Sequence, residues 1–176
     1  MKRGVHLGGG TKSAEQGQIS GFLKDIYEQI FEGSPFGGQI TYYQKASNAT
    51  VDDATTNDVR DLINDGVGLI QLFGHSSANV FELAMQEATS YQNFGKYPFM
   101  VANGCYAGNF SSIANNRTTY GERFVLEPGR GSIGYLALAT AGYINPLGRY
   151  TEEFYKIAYR DSVGATIGNI IAQTIR

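Results

Sequence analysis

Two short apolar runs, each closed by glycine and each followed by one chemically versatile residue, constrain this chain more than any other feature. They are Gly68-Leu69-Ile70-Gln71-Leu72-Phe73-Gly74-His75-Ser76-Ser77 and Pro98-Phe99-Met100-Val101-Ala102-Asn103-Gly104-Cys105-Tyr106-Ala107-Gly108. Each is rich in strand-favouring residues, which suits a buried strand feeding a tight turn. His75 and Cys105 stand at the same place relative to their strands. Cys105 is the single cysteine of the chain and His75 one of 2 histidines. If the strands are parallel neighbours, their ends lie about 5 Å apart in the sheet, so a thiol and an imidazole can meet there.

The rest of the chain supports that arrangement. Lys2 to Leu7 reads as a first strand, and Gly8-Gly9-Gly10-Thr11-Lys12-Ser13 comes directly after it. A phosphate-binding loop needs glycine immediately before the Lys-Ser pair, where this chain has Thr11, so the stretch reads as a glycine-rich turn into a helix. Ser13 with Gln16 has the spacing of a capping box, and Ile19, Phe22, Leu23, Ile26 and Ile30 recur at helical intervals up to Gly33. Gln39 to Gln44 predicts a second strand, and Val59, Leu62 and Ile63 a short helix ending at Asp65-Gly66. The polar stretch Gln86 to Tyr97 separates the two apolar runs, so a crossover joins them and the strands are parallel. Ser132 to Thr140 reads as a further strand, with helices near Gly121 to Glu127, Gly148 to Tyr159 and Ala165 to Ile175. The alternation predicts one α/β domain, a doubly wound sandwich around a largely parallel sheet of about five strands. Ligands of such sheets bind beyond the carboxyl ends of the strands, where His75, Cys105 and Ala141 fall.

Composition narrows the function. A formal charge of -2 with scattered Lys and Arg supplies no basic field for a nucleic-acid backbone, so no nucleic-acid partner is expected. No apolar stretch approaches the roughly 20 residues of a membrane span, and the N-terminus has no signal-peptide core. A single cysteine leaves the redox compartment open. Three Asn-X-Ser/Thr triplets, at Asn48, Asn109 and Asn116, are too short a pattern to carry weight. Beginning on a strand and ending inside a helical pattern, the chain reads as a core excised from a longer protein.

A thiolate is the attacking form of cysteine, and an adjacent imidazole can activate it and protonate the leaving amine. The backbone N–H groups of Cys105 and of Ser76 or Ser77 are candidate oxyanion donors, because glycine-flanked turns let a backbone approach substrate. Each residue also has an ordinary structural explanation. A lone cysteine after an apolar run is commonly a small buried hydrophobe, and it is the pairing with His75 that favours chemistry. Glu15, near the end of the first strand, is a possible acid to orient His75, and the helix dipole explains a carboxylate there equally well. Asp52 and Asp53 sit in a polar loop, as receivers of a basic side chain or as solvated charges. His6 belongs to the first strand and takes no role.

The Gly-His motif and the Asn103-Gly104-Cys105-Tyr106-Ala107-Gly108-Asn109 motif, some 30 residues apart, resemble the core of the gingipain-type cysteine peptidases, family C25 of the caspase-like clan. The segment Gly131 to Thr140 and the helix with Phe154 and Tyr155 are similar to the regions after the nucleophile in that family. The resemblance implies a caspase-like three-layer sandwich, and a His75–Cys105 dyad cleaving peptide bonds through a thioester. It implies peptide or protein substrates, secretion or display at a bacterial surface, in many members by the type IX system, and further domains in the parent chain. One branch of the family is the sortase of that system, which makes transpeptidation an alternative to hydrolysis. A non-catalytic module keeping the fold is the other. Ala141, Gly142 and Tyr143 would wall the pocket for the residue before the cleaved bond, with packing as the other explanation for Tyr143. No cofactor is required, and structural calcium is allowed by the resemblance alone. The family commonly has glycine after the histidine, where this chain has Ser76.

Overall fold

The two apolar runs become adjacent strands inside a five-stranded sheet, in a computed structural model that describes residues 2–47, 50–53, 55–83, 85–111 and 118–176. The strands are β1 (Arg3–Gly8), β2 (Gln39–Gln44), β3 (Leu69–Phe73), β4 (Phe99–Asn103) and β5 (Gly134–Ala137), in the order β2-β1-β3-β4-β5. Every pairing is parallel. Phe73 pairs with Asn103 at the last step of the β3–β4 ladder, so His75 and Cys105 leave neighbouring strands at equal distance from the register. The chain goes from β1 outward to β2 and then back across to β3. That reversal opens a crevice at the carboxyl ends of β1 and β3, the place where open α/β sheets take ligands.

Helices cover both faces, completing three layers. On one face lie α1 (Ser13–Ser20), its continuation through wider π-type turns (Gly21–Glu28) into α2 (Gln29–Glu32), α5 (Ile144–Lys156) and α6 (Ile167–Thr174). They pack Ile19, Leu23, Tyr27, Phe154 and Tyr155 on Leu69, Phe73 and Val101. On the other face, α3 (Thr56–Asp65) and α4 (Tyr120–Leu126) bring Val59, Ile63, Tyr120 and Phe124 to Val5, Leu7, Ile70, Leu72 and Met100. Successive strand residues thus serve opposite layers, as the pleat requires. Asn103 belongs to the α5 side, where its Oδ1 accepts from Thr151 Oγ1 at 3.0 Å.

Several local expectations need correction. No capping box forms from Ser13 and Gln16, because the helix starts one residue earlier, on Lys12 as an uncapped N-cap. Gln16 instead donates to Gly10 O at 3.0 Å. The capping box that does form is Thr119 with Glu122, at the start of α4. Strand β5 is shorter than the apolar pattern, and α5 begins at Ile144 rather than near Gly148. Pro146 falls in its first turn, where a missing N–H has no intrahelical partner to lose. Asn48 and Asn116 lie outside the described residues.

Candidate active site

Turns at the carboxyl ends of four strands converge on one cavity of about 600 Å³. Glu15, from the start of α1 after β1, forms its wall together with Gly74 and His75 after β3, Gly104 and Cys105 after β4, and Gly142 and Tyr143 after β5. An adjoining cavity of about 410 Å³ shares Asn103, Gly142, Tyr143 and Leu147 and adds Ala141. All three residues proposed to wall a substrate pocket therefore border this double cleft. Asp52 and Asp53 do not line either cavity. Asp52 is buried in a bridge to Leu83, and its Oδ2 accepts from Ser47 N at 3.2 Å.

Glu15 makes contacts in two directions. Its Oε2 accepts from Thr11 N at 2.7 Å and from Thr11 Oγ1 at 3.1 Å, fastening the entry to α1. Its Oε1 meets His75 Nε2 at 2.9 Å. Partial burial opposes ionisation of Glu15, yet the Thr11 hydrogen bond and the contact and charge of His75 outweigh it and hold the carboxyl below its ordinary value.

Cys105 is half-buried on a tight turn. The next residue, Tyr106, has φ 57°, a left-handed conformation uncommon for a side chain of that size. Its N–H donates to Thr140 O at 2.8 Å, tying the turn to the segment after β5. The sulfur sits between the two backbone groups of Gly142, 3.4 Å from N and 3.5 Å from O. Gly104 is required because a Cβ there would overlap Ser76 Oγ. That hydroxyl donates to Cys105 O at 2.8 Å, so Ser76 braces the cysteine turn. Ser76 itself does not line the cavity. It pairs with Phe81 across a bridge held by Ser77 N→Val80 O and Glu82 N→His75 O, a non-hydrogen-bonded pair that directs the Ser76 N–H away from its partner strand.

A model described as Peptidase family C25 matches residues 1–176. The chain belongs to peptidase family C25. No curated protein sequence matches the chain. Among solved structures it is similar to the Arg-specific cysteine proteinase gingipain R (RgpB), with 15% identity and a TM-score of 0.75, covering 99% of this chain and 41% of that one. A complex of Porphyromonas gingivalis RgpB pro- and mature domains gives 14% identity, a TM-score of 0.74 and coverages of 99% and 42%. A third, described only as a protease, gives 18% identity, a TM-score of 0.61 and coverages of 89% and 31%. This C25 chain thus spans about two fifths of the gingipain chains it matches. At that identity the likeness establishes the caspase-like fold.

One residue that shapes the C25 cleft is not among those the sequence points to. Glu82 is buried, and its Oε1 accepts from Gly10 N at 2.7 Å and His75 N at 2.6 Å. Its Oε2 pairs with the buried Lys45 Nζ at 2.9 Å. One carboxylate therefore joins the chain leaving β1, β2 and β3. Gly9 and Gly74 face it, and a Cβ on either would collide with it. The available signal is the pair of glycines directly after β1 and β3, which mark close approach without naming what approaches. Among the described residues, no three His, Cys, Asp or Glu stand together as a metal-holding group. No described helix is long and apolar enough to cross a membrane.

Proposed function

We propose that the protein is a cysteine endopeptidase in which Cys105 is the nucleophile, His75 the proton carrier and Glu15 the residue that orients His75. The observation that carries this reading is the shared cavity bearing all three, with Glu15 on His75 Nε2 at 2.9 Å. With Nε2 committed to Glu15, Nδ1 exchanges the proton with the thiol. Cys105 Sγ then attacks the carbonyl carbon of the scissile bond, and the carbonyl electron pair moves to oxygen. The backbone N–H groups of Cys105 and Ser76 are the proposed donors to that oxyanion. As the carbon–nitrogen bond breaks, His75 returns its proton to the leaving amine and a thioester remains. Water, deprotonated by His75, cleaves the thioester and releases the acid and free Cys105. The Gly142 N–H lies 3.4 Å from the sulfur, on the wall of the same cavity.

Peptide cleavage and iodoacetamide labelling test the reading. Wild-type protein should cleave a mixed peptide library and label at Cys105, while Cys105→Ala should abolish cleavage and His75→Ala should lower it by at least ~100-fold. Cleavage that persists in Cys105→Ala would remove the proposal. The open cleft favours turnover over a silent binding module, whose site would be expected to be filled by side chains. Transfer of the acyl group to an added amine would identify a transpeptidase of the sortase kind. Export to a bacterial surface is proposed from the gingipain likeness alone.

A further inference from the structure

The cavity at Cys105 is walled by apolar side chains around one incompletely bonded amide. Ile19, Phe73 and Leu147 form its sides, and Asn103, 4% exposed, lies where it meets the adjoining cavity. Asn103 Oδ1 is held by Thr151. Its Nδ2 is buried with no hydrogen-bond partner among the described residues. A buried amide donor left unmet is costly, so such groups normally have a partner, and one at a cavity wall can receive it from a ligand. Among the described residues, Glu15 is the only carboxylate in the lining, and both its oxygens are engaged, by His75 and by Thr11. Among the described residues, no Lys or Arg lines either cavity.

Resting on the peptidase reading above, we propose that this pocket takes an uncharged side chain from the residue before the cleaved bond, with glutamine preferred. Its aliphatic stem packs on Ile19, Phe73 and Leu147, and its carboxamide reaches Asn103. A carboxamide carries both donor and acceptor, so it pairs with Asn103 in either orientation of that amide. Arginine or lysine would bring a charge into a wall with no free carboxylate, which is unfavourable unless it is paired. Taking Glu15 as the partner would cost His75 its orienting contact. Asn103 is thus a specificity-determining residue, and the preference differs from that of the Arg-specific structure to which the fold is similar.

Four peptidyl acyloxymethyl ketones, identical except for Gln, Met, Arg or Lys next to the reactive group, test this on the whole chain. The readout is the second-order rate of Cys105 modification, measured by mass spectrometry with Cys105→Ala as the blank. Gln should react fastest, Met next, and Arg and Lys at least ~10-fold more slowly than Gln. In Asn103→Leu the ratio of the Gln to the Met rate should fall to about one. Faster reaction with Arg or Lys overturns the pocket assignment while leaving the peptidase reading intact. Equal Gln and Met rates in the wild type, measurable whether or not the variant folds, overturn the role of Asn103. Absence of Cys105 modification by all four overturns the peptidase reading and this inference together.

Discussion

Glu82 and Lys45 face each other inside the protein, with side chains 4% and 0% exposed, so neutralising one strands the other. Glu82→Gln should therefore cost about 3–5 kcal/mol in urea denaturation. Lys45→Met added to it should recover part of that loss, and an unchanged midpoint in the single variant would refute the buried pair. Glu15 acts differently, since it is partly exposed and touches the ring of His75 rather than its backbone. Glu15→Gln should leave the fold in place, lower the rate of Cys105 alkylation by about 10-fold and move its pH profile. A purely structural helix fastener would lower stability and leave the profile alone. Both tests separate holding the site's backbone from orienting its imidazole.

The turns that carry Cys105 and His75 are interlocked elements. Ser76 Oγ occupies the space above Gly104 and bonds to Cys105 O. Gly104→Ala should destabilise the protein by about 1–3 kcal/mol, and Ser76→Gly should relieve much of that in a double-mutant cycle. Additive losses would show that the two turns do not press on each other. At the far side of the sheet, the reciprocal Thr119 and Glu122 cap fastens α4 a short way along the chain from Cys105. Thr119→Ala should cost about 1 kcal/mol, read as a lower urea midpoint. This cap is hard to see in the chain because Thr119-Tyr120-Gly121-Glu122 opens with an aromatic and a glycine rather than a run of good helix formers. The Ser13 and Gln16 spacing misleads for the opposite reason. It matches a capping pattern, but the glycine turn and Glu15 set the helix start instead.

Across the whole molecule, the sheet is fastened to its α1 and α5 layer by a histidine outside the cleft. His6 is fully buried, with Nδ1 at 3.1 Å from Leu23 O and Nε2 at 2.8 Å from Tyr155 Oη. Burial, only partly offset by the Leu23 hydrogen bond, pushes its pKa from 6.5 down to about 3. A folded pKa below the unfolded one gives stability that is present above pH 6.5 and lost as pH falls toward 3, on the order of 5 kcal/mol in all. The His6 ring resonance should stay constant from pH 8 to about 5 while urea midpoints decline below about pH 6, and a ring that titrates near 6.5 would contradict the burial. Much of this architecture was legible in the chain itself. The apolar runs, their glycine stops and the polar crossover between them specified parallel strands with His75 and Cys105 at matching ends, because periodicity and turn chemistry are local properties. What no local pattern decided was that Glu15 would reach His75 rather than serve its helix alone, that Glu82 would gather three strand ends, and that Asn103 would border a cavity with its amide half satisfied. Those contacts join residues from separate elements, so they exist only once strand order and helix packing have set the distances between them.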